Sequence, residues 1–377
     1  PLFPSYRFLT IFLAFLGAVF NYVTRVNLSV AVVCMVRDKS CGSSSSSSNN
    51  ITATSIITNI SNISNSGDGG TCSETGEFDW DKATTGRLLA MYFYGYLFLQ
   101  IPGGWLASRY GGARVWGVCQ TVCAVCTLLT PVCARTSVQL TYALRFILGF
   151  AAGVTFPCIH AMHGKWSPPL ERTRMASVTF SGPLIGSILA FSISGLLCEY
   201  GFDNGWGSIF YIAGIGNLLW VVAWFWLVTD TPDQHKRISH REREYINASF
   251  GKANTQKVKT DRIPWVSVFT SGSVWAIVIV HMTSSYLNYT LLTSLPTFMK
   301  ESLDFDIKAN GLLSSLPYIC QFSMVPVFGH VADRMRERKI MSTKNVRKLF
   351  QCIGASAVCY DFVISNYPHQ VMDYAMV

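Results

Sequence analysis

Gly104-Trp105-Leu106-Ala107-Ser108-Arg109 recurs 225 residues later as Gly329-His330-Val331-Ala332-Asp333-Arg334. Both copies close an apolar run and enter a basic turn, the mark of a duplicated unit. Outward from the two copies, runs of about the 20 apolar residues that cross a bilayer recur at 8–36, 83–106, 115–134, 138–160, 175–198, 208–228, 274–295, 311–331 and 346–367. The copies then follow the second and the eighth run, as two parallel six-helix halves would place them. Half of the 377 residues are apolar and only 14% are charged, too few to clothe a soluble domain of this size. The fold expected is an all-α polytopic membrane protein with about nine of twelve transmembrane helices present. Residues 1–229 form a six-helix half, 230–264 a basic linker, and 265–377 an incomplete second half of three helices. The sequence opens at Pro1 without a methionine and stops at Val377 soon after the ninth run. It is therefore expected to be about three spans short of two full halves.

A net charge of +9 raises the question of nucleic acid, and the positions of the charges answer it. Of 30 Lys and Arg, 20 fall in alternate connections: Arg109 and Arg114, then Lys165, Arg172 and Arg174, then eight within 236–262 and seven within 334–348. By the positive-inside rule these connections face the cytosol, which places the amino terminus there too. The charge reads as topology, and no nucleic-acid partner is expected. The first run is too long for a cleavable signal peptide and carries Asn21, Arg25 and Asn27, so it reads as a permanent helix.

The segment 37–82 contains six consecutive serines, Ser43 to Ser48, and an Asn/Ser/Thr-rich stretch that cannot bury a core, so it is expected to be disordered. Its acceptor sequons begin at Asn50, Asn59 and Asn62, on the side that topology makes exoplasmic or lumenal, and glycosylation is expected there. Cys41 and Cys72 flank the same loop and are candidates to pair in an oxidising compartment. Cys119, Cys123, Cys126 and Cys133 lie within one span and read as small buried hydrophobes, with no metal site expected.

Two arginines lie inside spans, where a charge costs on the order of 3 kcal/mol and commonly marks a substrate path. Arg25 shares a helical face with Asn21, Tyr22 and Ser29. Arg145 is followed at four-residue intervals by Gly149, Gly153 and Pro157, small neighbours expected to leave room. At 1.5 Å per residue the pair lies roughly 16 and 10 Å below the exoplasmic ends of their runs, so they could share a ligand. A guanidinium binds carboxylate or phosphate through two parallel hydrogen bonds and keeps its charge in a low-dielectric cavity. His281, Ser284, Ser285 and Asn288 form a polar stripe on the seventh run, expected to face the same cavity. Arg109 and Arg114, with Asp333 and Arg334 in the second copy, are expected to bridge helix ends on the cytosolic face and hold one conformation closed.

The repeated turn resembles the signature of the major facilitator superfamily. Narrower segments, Phe78-Asp79-Trp80-Asp81, Gln100-Ile101-Pro102-Gly103-Gly104, Gly153-Val154-Thr155-Phe156-Pro157 and Lys165 to Arg172, are similar to its anion/cation symporter family. That family contains sialin, the vesicular glutamate transporters and the sodium-phosphate cotransporters, and 230–245 and 289–318 most resemble its sialin branch. The resemblance implies a secondary transporter of small organic anions, such as acidic sugars, by alternating access. It implicates the arginines at positions 25 and 145 in substrate binding, and places Tyr94 and Tyr289 near the substrate. Departures accompany it: where sialin-like members carry glutamates in the fourth span this chain has Leu148 and Ala152, so proton symport would need another group. His281 is the candidate, since imidazole is the side chain whose ordinary titration range lies nearest neutral pH. Leu89 and Ser284 stand where vesicular glutamate transporters have a histidine and an arginine, which disfavours glutamate.

The partners expected are a small anion, a coupling proton or sodium ion, and the bilayer of a lysosome, vesicle or plasma membrane. Sodium-driven transport of inorganic phosphate or urate is the alternative, and from another class a truncated, non-transporting regulatory fragment. No cofactor is expected, and no phosphate loop, nucleophile elbow or metal-ligand spacing points to an enzyme.

Overall fold

The computed structural model describes residues 5–37, 76–168, 171–235, 237–250, 265–301, 307–338, 340–342, 345–346, 348–350 and 352. Their elements are helices α1 (Tyr6–Met35), α2 (Lys82–Tyr110), α3 (Gly112–Thr136), α4 (Val138–Ala152), α5 (Thr155–Trp166), α6 (Arg172–Tyr200), α7 (Trp206–Leu227), α8 (His240–Phe250), α9 (Trp265–Thr270), α10 (Gly272–Glu301) and α11 (Ile307–Glu337). Six spans are long and apolar enough to cross a membrane by length and composition: α1, α3, the joined α4–α5, α6, α7 and much of α11. With α2 and α10, of like length, they account for the first eight apolar runs. The ninth run, 346–367, lies almost wholly outside the described residues, as do Cys41, Cys72, Asn50, Asn59 and Asn62.

Local chemistry sets the helix ends. Ser5, Asp81 and Ser137 cap α1, α2 and α4 by accepting from the amides of Phe8, Thr84 and Gln139. Gly111, at φ 98°, makes the α2–α3 turn that a residue with a Cβ resists. The fourth span breaks at Gly153–Val154 between α4 and α5. There Pro157 has no amide hydrogen for the carbonyl of Gly153.

α1 runs through the bundle against α6 and α7, α2 packs on α4, and α3 on α4 and α7; α10 then lies against α1 and α11 against α6. Glycines bring several pairs into backbone contact. A Cβ on Gly149 would strike the Tyr92 carbonyl, one on Gly95 the Phe146 carbonyl, and one on Gly153 would come within 2.7 Å of the Tyr96 carbonyl. This corrects the expectation that Gly149 and Gly153 leave room for a ligand, since α2 fills that space by close helix packing.

We name the two ends of the bundle by what they carry: the loop face, with the ends of α1 and α6, and the linker face, with α8. On the loop face Cys34 and Cys198 form a disulfide between the ends of α1 and α6. Near the linker face Trp116, Trp220 and Trp224 pack with ring centroids 4.8–5.4 Å apart, and the latter two donate to the carbonyls of Leu13 and Ala113 at 2.9 Å. The outer surface is apolar: Ile101 is 81% exposed and Leu97 73%. That is an inversion that lipid accepts and water does not.

Candidate functional site

Arg25 lies buried near the middle of α1, and its guanidinium is ringed by aromatic side chains. Its central carbon lies 4.3 Å from the Tyr289 ring centroid, 4.9 Å from Tyr96, 5.1 Å from Tyr92 and Phe93, and 5.3 Å from Tyr22. These rings stabilise the charge by cation–π attraction. None of its three nitrogens has a hydrogen-bond partner among the described residues.

Arg145, on α4, is 2% exposed. One nitrogen donates to Asn27 Oδ1 at 3.4 Å and the Phe210 ring lies 5.6 Å away, while its Nε has no partner among the described residues. Both arginines line one small, partly enclosed cavity of about 10 Å³, together with Ser29, Tyr92, Phe93 and Thr293. That is room for a single water and for no organic anion. Each buried guanidinium without a counter-charge costs on the order of several kcal/mol, a cost that an anion held between them would relieve.

The other expected residues divide. Tyr22 and Tyr289 stand in the aromatic ring, whereas Tyr94 is 58% exposed on the outer face of α2. The residues that reach Arg25 are Tyr92 and Tyr96, because a helical turn of 3.6 residues carries position 94 to the opposite side. Asn21 leaves the expected stripe and donates to Thr155 Oγ1 at 3.0 Å and Gln120 Oε1 at 3.4 Å, bonding neighbouring helices. On α10 the stripe splits as well. Ser285 and Asn288 are half-buried with Tyr289, while His281 and Ser284 are exposed, and His281 lines an open apolar groove with Ile277, Val278 and Met282. Leu148 and Ala152 are buried in an apolar cluster with Tyr92, Tyr96 and Cys123.

Of the basic turn, Arg109 is exposed and stacks over Trp105 at 5.3 Å and Tyr110 at 5.9 Å. Arg114 pairs with Asp230 at 3.1 Å, and Asp230 Oδ1 also accepts from the amides of Ala113 and Arg114, capping α3. Sequence reading passed over Asp230. Its signal was a lone carboxylate at the exit of the sixth span, opposite a basic turn. In the second copy Arg334 is exposed, and the side chain of Asp333 lies outside the described residues.

Two further clusters were equally hidden. At the linker face Glu242 of α8 accepts from the amides of Tyr6 and Arg7 at 3.3 and 3.0 Å, and the Arg7 side chain reaches Glu171 at 2.7 Å, pinning the linker to α1. At the loop face Arg135 pairs with Glu77 at 2.9 Å and Asp203 at 2.8 Å. Glu77 also accepts from Asn204 and from the Trp206 ring nitrogen, both at 3.0 Å.

Known proteins agree with this architecture. Residues 13–372 match the sequence model of the family described as Major Facilitator Superfamily. Sialin of Homo sapiens is 40% identical over 356 residues, covering 94% of this chain and 68% of that protein. A putative inorganic phosphate cotransporter of Drosophila melanogaster is 40% identical over 362 residues, covering 96% and 66%. The fold resembles the crystal structure of a bacterial homolog of the human lysosomal transporter Spinster, inward-facing and unoccupied, with TM-score 0.60 and 12% identity over 89% of this chain and 64% of that one. The chain thus spans about two thirds of the length of the relatives it matches.

Proposed function

The chain belongs to the Major Facilitator Superfamily, in the group that includes sialin and the phosphate cotransporters, and from that premise we propose that it is a secondary transporter of small organic anions. The observation that carries the reading is the pair of buried guanidiniums, Arg25 and Arg145, lining one cavity without a counter-charge among the described residues. A carboxylate is the ligand such a pair selects, by charge-assisted and two-pronged hydrogen bonding. Tyr22, Tyr289, Ser285 and Asn288 complete the proposed site. Residues 1–229 and 265–377 act as two halves that rock around it, joined by 230–264. Arg109, Arg114, Asp333 and Arg334 bias one state from the linker face, with Asp230 as the partner of Arg114.

The linker face is proposed to be cytosolic, following its Lys and Arg. The Cys34–Cys198 disulfide supports the opposite assignment for the loop face, since such bonds persist in oxidising compartments. Glycans on Asn50, Asn59 or Asn62 would lie on that side, in a lysosomal, vesicular or plasma membrane.

Uptake by the purified protein in proteoliposomes tests the reading. Labelled glucuronate and labelled phosphate are offered while sodium and pH gradients are varied separately. Glucuronate uptake that Arg25→Ala or Arg145→Ala abolishes at equal protein abundance is the expected result. Uptake untouched by both substitutions would overturn it. The second reading, inorganic phosphate driven by sodium, is favoured by the likeness to the fly protein. It predicts sodium-driven phosphate uptake without a pH response. In the proton-coupled form His281 is the coupling candidate, and His281→Gln should flatten the pH dependence of uptake.

A further inference from the structure

A buried polar atom without a hydrogen-bond partner is uncommon, because it has given up its bonds to water and gained none in the fold. Several such atoms gather around the two arginines. Besides the guanidinium nitrogens they are the hydroxyls of Tyr92 on α2 and Tyr318 on α11, and the amide nitrogen of Asn27 on α1, each without a partner among the described residues. Asn27 is readily explained. Arg145 can only donate, so it takes the Asn27 oxygen and leaves the amide nitrogen as the unpaired end. The two hydroxyls have no such origin. Phenylalanine would fill either place with the same ring and no orphaned polar atom.

Tyr92 lies on the wall of the arginine cavity, its ring centroid 5.1 Å from the central carbon of Arg25. Tyr318 comes from far along the chain. It is buried, its ring stacks on Phe191 of α6 at 5.5 Å, and it shares an apolar cluster with Val26 of α1 and Leu292 of α10. Both of those residues also line the arginine cavity. Tyr22 and Arg25 act on Tyr318 electrostatically. A space of about 10 Å³ admits no organic anion, so a ligand enters only as the surrounding helices part. Separation of α1 from α10 at Val26 and Leu292 would open that space toward Tyr318.

We infer that Tyr92 and Tyr318 are specificity-determining residues, whose hydroxyls, one from α2 and one from α11, bond a hydroxyl group of an organic anion held at its carboxylate by Arg25 and Arg145. The inference rests on the transport reading and deepens it. The guanidiniums already serve the carboxylate, whereas a tyrosine hydroxyl both donates and accepts, as a ligand hydroxyl requires. A site built to bond such a group rejects the analogue that lacks it, because its own polar atoms are then left unpaired. Contact from α11 would also make the anion a bridge between the two halves, so that binding draws them together.

Binding to the purified protein in neutral detergent tests this without transport. Calorimetric titration compares glucuronate with cyclohexanecarboxylate, a six-membered ring of the same charge without hydroxyls. The parent should bind glucuronate more tightly. Tyr318→Phe, and separately Tyr92→Phe, should weaken glucuronate roughly tenfold and leave cyclohexanecarboxylate nearly unchanged. The Tm of each ligand-free variant should equal or exceed the parent's, since an orphaned hydroxyl has been removed. A preference for glucuronate unaltered in either variant, or an equal loss of both ligands with a lower Tm, would overturn the inference. Unaltered preference beside glucuronate binding that Arg25→Ala abolishes would leave the transport reading standing. Failure of the parent to bind either carboxylate would remove both.

Discussion

Arg145 shows how one residue can be structurally costly and still retained. Its guanidinium is buried at 2% exposure with one long hydrogen bond to Asn27, so it contributes little to packing that an apolar side chain would not supply. On the proposed function, its value lies in the fork of donors that it offers an anion. Arg145→Lys keeps the charge and loses the fork. A hydrogen bond to a charged group is worth about 1.5–3 kcal/mol, so the apparent KM for glucuronate uptake should rise roughly 10- to 100-fold, with detergent-purified protein still monodisperse. The tyrosines supply a control on the same helix. Tyr96→Ala removes a ring 4.9 Å from Arg25 and should weaken uptake in the same assay, whereas Tyr94→Ala, on the outer face, should leave it unchanged.

At the scale of elements, several helix contacts are made through glycine, beside the packed tryptophans of α3 and α7. α2 and α4 approach until the Tyr92 carbonyl overlies Gly149, and α1 meets α6 where a Cβ on Gly186 would come within 2.6 Å of the Val19 carbonyl. In lipid, where apolar surface gains nothing from leaving its solvent, such contacts hold helices together by dispersion and close fit. Gly149→Ala must push the two helices apart, and should lower the apparent Tm in a thermal-unfolding assay by several degrees. Gly164→Ala, in α5 with open space around the added methyl, should leave Tm unchanged or raise it, since alanine is favoured over glycine in a helix by up to about 1 kcal/mol.

Across the whole molecule, the loop face is fastened at two places that sequence distance would never suggest. The Cys34–Cys198 bond joins residues 164 apart. Cys34→Ser should remove a cross-linked peptide pair from a non-reducing digest, and cost about 2–5 kcal/mol of stability, read as a lower Tm than that of the oxidised parent. The second fastening is the Glu77 hub that gathers α3, the α6–α7 turn and the entry to α2. Hydrogen bonding from Arg135 holds the Glu77 carboxyl below its ordinary value. The unfolded chain therefore takes up this proton at a higher pH than the folded one. The stabilisation is present in full above the ordinary glutamate value of about 4.3 and is lost as pH falls below it, toward the lowered folded value. Tm should fall with pH in that range, and Glu77→Gln should flatten the slope without reversing it.

The spans, their number among the described residues and the exceptional arginines within them were legible in the sequence. Crossing a bilayer is a property summed along one segment, and a charge inside such a segment stands out unaided. What that reading lacked was rotation and partnership. Whether Tyr92, Tyr94 or Tyr96 meets Arg25 depends on how α2 is turned about its axis. Whether Gly149 makes room or closes it depends on which helix lies opposite. The partners Asp230 of Arg114, Glu77 of Arg135 and Cys198 of Cys34 come from elements far along the chain. Those relations exist only once helices have packed, because apolar periodicity leaves the angle between two neighbours free and close contact alone removes that freedom.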